Sequence, residues 1–115
     1  MFRSTITLLC MLPILFASVP LRAETTGWMT KREYGKYTRQ LKKQKLIPTK
    51  IECRAGKNGN PYEVRLTAKP NTQNKPWEVS VYRASISPKV YGSIPRTSYD
   101  AFQSKSGAWY HCMID

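Results

Sequence analysis

At Pro48 the spacing of apolar residues changes from three and four to two, and that change calls for a helix followed by strands. Before it, Tyr34, Tyr37 and Leu41 recur at i, i+3 and i+7, one side of a helix running from Thr30 to about residue 45. Thr30 is placed to cap that helix, with Glu33 three residues later to close a capping box. Met29 and Tyr34 flank the cap as a hydrophobic staple. Gly35 weakens the helix by up to about 1 kcal/mol relative to Ala, and Pro48 stops it.

After Pro48, Ile47, Thr49, Ile51 and Cys53 alternate with Lys50, Glu52 and Arg54, the pattern of a half-buried strand. Asn58-Gly59 is a hairpin signal, because both residues tolerate positive φ. The return strand, residues 62–68, turns Tyr62, Val64 and Leu66 inward. A polar loop spans 69–76, and a third strand, 77–83, alternates Trp77, Val79 and Val81 against Glu78, Ser80 and Tyr82. Residues 84–96 accommodate a short helix around Pro88. Strands at 97–103 and 108–114 follow, joined by the turn at Lys105-Ser106-Gly107. Residues 24–28 read as a flexible lead-in. The expected fold is α+β: one amphipathic helix packed on an antiparallel sheet of four or five strands.

The N-terminus has the three parts of an export signal: Arg3, an apolar run over residues 5–16, and small or turn-forming residues up to Ala23. The run is shorter than the roughly 20 residues a bilayer span needs. Residues 1–23 are therefore expected to be a signal peptide, cleaved after Ala23 with Ala17 as the alternative, leaving 24–115 as one small domain. Export places the protein in the periplasm or outside the cell. Cys10 lies within the apolar run, so Cys53 and Cys112 are the pair available to an oxidising compartment, and a disulfide between them is expected.

The residues Trp28-Met29-Thr30, Glu33-Tyr34, Tyr37, Leu41, Ile47-Pro48 and Cys53, with Trp109-Tyr110-His111-Cys112 near the end, form a pattern. It resembles small uncharacterised exported proteins of Gram-negative bacteria. The resemblance covers most of the chain after residue 23 and implies fold and location, but no reaction.

Of the 19 basic residues only Arg3 and Arg22 belong to the signal, against 7 acids that all follow it, so the domain is strongly basic. At 100° per residue, Lys31, Arg32, Lys36, Arg39, Lys42 and Lys43 fall within one arc of roughly 140° on the helix, opposite its aromatic side. Such an arc suits an anionic surface, whether envelope phosphates or polymers or an acidic protein. Nucleic acid is not the expected partner: the helix aromatics face the core, leaving Tyr82 and Tyr91 as the aromatics placed outside.

Catalytic chemistry has few candidates. The domain has one histidine and two cysteines better used in a disulfide, too few ligands for a metal site. It contains no Gly-x-Ser-x-Gly elbow, no Gly-x-Gly-x-x-Gly and no phosphate loop, so no cofactor is expected. The expectation is a binding protein without catalysis. The alternative is a small ribonuclease-like hydrolase with Glu63 as base, Arg65 and then Arg83 on phosphate, and His111 as acid.

Overall fold

A computed structural model describes residues 23–115. The signal-peptide expectation, with its cleavage site, lies outside the described residues except at Ala23. The elements in order are β1 (Glu24–Thr25), β2 (Met29–Thr30), α1 (Lys31–Lys43), β3 (Leu46–Ala55), β4 (Tyr62–Pro70), β5 (Val79–Ala84), α2 (Pro88–Gly92), β6 (Ser98–Gln103) and β7 (Trp109–Ile114). The fold is α+β with antiparallel sheets. In place of the single sheet expected there are two: β4 carries β3 on one edge and β1 and β2 on the other, while β5, β7 and β6 form a second sheet in that order.

The capping box is complete. Thr30 Oγ1 accepts from the Glu33 N–H at 3.3 Å, and Glu33 Oε1 accepts from the Thr30 N–H at 2.8 Å. The helix ends two residues earlier than its sequence pattern, because Lys45 adopts φ 57° and its carbonyl accepts from the Asn71 N–H at 2.9 Å. The β3–β4 hairpin turns through Asn58 (φ 53°) and Gly59 (φ 86°), closed by the Asn60 N–H on the Lys57 carbonyl at 2.9 Å.

Residues 24–28 are not a loose lead-in; they belong, with Met29 and Thr30, to a segment held against the first sheet. They run along the free edge of β4, with Glu24 opposite Ala68, Thr25 opposite Thr67, Met29 opposite Val64 and Thr30 opposite Glu63. The register moves by one between Thr25 and Met29, and Trp28 lies at this irregularity. Its ring packs beneath two guanidinium groups, Arg54 at 4.2 Å and Arg65 at 4.6 Å from the centroid. Two-residue strands are too short to show a period, which is why the sequence pattern hides them.

The core lies between the sheets and under α1. Ile51, Cys53, Tyr62, Val64 and Leu66 from the first sheet meet Cys112 and Ile114 from the second, all buried. Tyr34 and Tyr37 of α1 pack against this cluster, and Leu41 is buried. Cys53 and Cys112 are disulfide-bonded, with Cα atoms 6.4 Å apart, and tie edge strand β3 of the first sheet to β7, the middle strand of the second.

A second link joins the sheets beside the disulfide. The edge of β3 that does not face β4 would leave N–H groups unpaired. Ser98 Oγ accepts from the Ile51 N–H at 3.0 Å, and Asp100 Oδ2 accepts from the Cys53 N–H at 2.9 Å. Two side chains of β6 thus stand in for a missing ladder strand.

Buried tyrosines give the fold a pH limit. Burial, with Tyr34 alongside, pushes the Tyr62 hydroxyl above its usual range; burial is also the main cause of the upward shifts of Tyr37 and Tyr99. The folded state therefore holds phenol protons that the unfolded chain releases near its ordinary value of 10.0. Their contribution to stability is complete below that value and is lost as pH rises above it. Denaturant midpoints should hold to about pH 9 and fall steeply towards about pH 11, and Tyr62→Phe should flatten the fall. A midpoint unchanged across this range would contradict the placement of these rings.

Candidate functional site

The six cations of the arc, Lys31, Arg32, Lys36, Arg39, Lys42 and Lys43, are all exposed on α1, while Tyr34, Tyr37 and Leu41 turn to the core. The helix therefore presents them on one outward side. Among the described residues Lys42 alone of the six has a carboxylate within 4.0 Å, Glu78 at 3.9 Å. Lys42 also stands over the Trp77 ring, 4.8 Å from its centroid. Beside it an open cleft of about 390 Å³ is lined by Lys45, Lys75, Asn71, Asn74, Trp77 and Glu78, which sets two further cations and one acid past the end of the helix.

Four of the seven acids serve other contacts. Arg54 Nε donates to Glu63 at 2.8 Å and Arg65 Nε donates to Glu52 at 2.7 Å, two cross-strand pairs on the outer face of β3 and β4. The Arg65 bond holds the Glu52 carboxyl below its usual range. Glu33 closes the helix cap and Asp100 serves the β3 edge.

The residues of the hydrolase alternative do not come together. Glu63 and Arg65 alternate with Tyr62, Val64 and Leu66 and so lie on the outer face of the first sheet. His111 alternates with Cys112 and so turns away from that sheet, with the packed core between them. It is fully buried, and the Tyr99 hydroxyl lies 2.7 Å from its Nδ1. The Tyr91 ring of α2 sits 4.3 Å from it, and Nε2 has no hydrogen-bond partner among the described residues. Arg83, on the β5 edge, is exposed and pairs in register with Tyr110, not with Glu63 or Arg65.

Tyr91 is accordingly not an outward aromatic: it is the lid over His111, and Tyr82 alone of that pair is exposed. This His111–Tyr99–Tyr91 cluster was hidden in the sequence, where the three residues stand far apart and only the inward or outward turn of each strand position is legible.

Among the described residues no group of three or more His, Cys, Asp and Glu side chains could hold a metal, and no helix is long and apolar enough to cross a membrane. No family model, curated protein or solved structure matches the chain.

Proposed function

We propose that this is an exported, non-catalytic binding domain that contacts an anionic surface through the outward face of α1. Periplasmic or secreted location is part of the same proposal, resting on the signal pattern of residues 1–23. The observation that carries the reading is a helix face with six exposed cations, five of which have no carboxylate within 4.0 Å among the described residues.

Helix stability accounts for Lys42 and Lys43, which stand in the last turn where the dipole favours cations, but not for the other four. Arg32 and Lys36, and Arg39 and Lys43, are like-charged i, i+4 pairs, each costing about 0.2–0.5 kcal/mol. Lys31 and Arg32 lie in the first turn, where the helix dipole disfavours cations. A residue pattern that costs the fold something needs another use, and attraction of an anion is the use its chemistry offers.

Retention on immobilised heparin tests the reading. It should be strong at low salt and fall steeply as the screening length drops to about 8 Å near physiological ionic strength. Incubation with RNA should give no turnover that His111→Ala abolishes in a folded protein. A cleavage activity lost in that variant would overturn the non-catalytic reading.

A further inference from the structure

The large hydrophobic side chains that stand exposed among the described residues are Tyr82 (53%), Ile86 (44%), Val90 (57%) and Ile94 (47%), and all four fall in one stretch of chain. The stretch lies on the face of the second sheet that turns away from the core. Tyr82 pairs in register with His111, whose ring is covered by Tyr91 of α2. Ile86, Val90 and Ile94 follow at four-residue intervals, before, within and after this short helix.

The stretch is a built ledge. Pro88 opens α2, Ser87 Oγ accepts from the Lys89 N–H at 3.1 Å, and Tyr91 is seated on buried His111. Arg96 fixes the far end, reaching Met113 Sδ and lying over the Tyr99 ring. The three aliphatic side chains are thus held outward by a support that is itself buried.

Charge decides what can cover them. No acidic residue occurs between Glu78 and Asp100, whereas Lys89, within α2, is exposed among the apolar side chains and Arg96 reaches Met113 on the same face of the sheet. The Asp100 carboxylate turns to the Cys53 N–H, on the other face of the sheet. A second copy of the chain would bring cation against cation. Ser85, Ser87 and Ser93 interrupt the apolar residues, so the patch is short aliphatic tips among polar and basic groups rather than a continuous apolar surface.

We infer that this ledge is a membrane-interface contact, placing Ile86, Val90 and Ile94 at the acyl boundary of an anionic phospholipid bilayer while Lys89 meets its phosphates. The inference rests on the anionic-surface reading in that it names the surface, but it uses a different part of the molecule from α1. Attraction to the cations of α1 weakens with salt, whereas a hold by aliphatic side chains does not.

The test uses protein purified after expression of the full chain and sedimented with vesicles of phosphatidylethanolamine and phosphatidylglycerol. At about 0.15 M salt, the triple variant Ile86→Ser, Val90→Ser, Ile94→Ser should partition at least roughly tenfold less than wild type. Its retention on heparin should not change. Val90→Trp, which adds an interface-seeking ring at the most exposed position, should partition severalfold more. Equal partitioning of wild type and both ledge variants would overturn the inference. A loss confined to Lys36→Glu, Arg39→Glu, Lys43→Glu would overturn it too and leave the helix reading standing. A loss confined to the ledge variants would support it and remove the helix from the account. Should the triple-Ser variant lose a single envelope protein while its vesicle partitioning is unchanged, the ledge binds protein and the lipid assignment falls.

Discussion

Replacing Cys53 and Cys112 together by Ala should lower the melting temperature by about 20 °C or more, because each kcal/mol moves a domain of this size by about 4–8 °C. The bond closes a loop with a sequence separation of 59, which removes chain entropy from the unfolded state worth about 4 kcal/mol. Both sulfurs lie inside the main core, so the substitution also loses packing. The effect is large because a domain this small buries too little apolar surface to hold a wide margin of stability. Thermal unfolding by circular dichroism, with and without reductant, checks it. Reduced wild type should melt near the Ala variant, whereas a shift of only a few degrees would mean that the sheets hold together without the bond.

Asp100→Ala should be the next most damaging change, destabilising the fold by about 2 kcal/mol. Its carboxylate accepts the Cys53 N–H at 2.9 Å on the edge of β3 that has no partner strand. Removing it leaves a part-buried donor unsatisfied beside the disulfide. Asp100→Asn retains an acceptor oxygen and should restore most of the loss, which separates the hydrogen bond from mere side-chain size. Urea midpoints at constant m-value decide the matter. Equal destabilisation by Ala and Asn would show that the negative charge, not the acceptor, matters there.

What can be read from the chain is what local contacts decide. The helix start is local: Thr30 and Glu33 meet across three residues, so their box is visible in the sequence. The Asn58-Gly59 turn is equally local. The division into two sheets is not, because alternation tells which way a residue faces but not which strand lies beside it. Ser98 and Asp100 therefore look like an ordinary polar side of a strand, although they close the edge of β3 forty-seven residues away in sequence. Residues 24–28 read as a loose lead-in for a related reason: the pairing of residues 24–30 with β4 comes in two short pieces separated by an irregularity.

For the candidate site the same rule holds. The basic arc is legible because helical geometry alone assembles it. That five of its six cations lack an acidic partner among the described residues is not, since that depends on where Glu52, Glu63 and Asp100 find theirs. The ledge escapes a periodicity reading because Ile86, Val90 and Ile94 lie across a five-residue helix and its flanks. Four-residue spacing there suggests a buried helix face, and only the covering of His111 by Tyr91 shows that the buried side is the other one.

The claim that α1 is the binding face is tested most directly by two charge reversals of equal size. Lys36→Glu, Arg39→Glu, Lys43→Glu changes the arc; Lys57→Glu, Lys69→Glu, Lys105→Glu changes exposed loop and strand-end positions away from it. Both alter the net charge by the same amount, and neither should move the melting temperature by more than a few degrees, since exposed charges contribute little to folding. Measured on heparin at one fixed low ionic strength, the arc variant should elute with the void volume while the second variant keeps most of its retention. Equal loss in both would contradict the account, because binding would then follow overall charge and the outward face of α1 would have no special part in it.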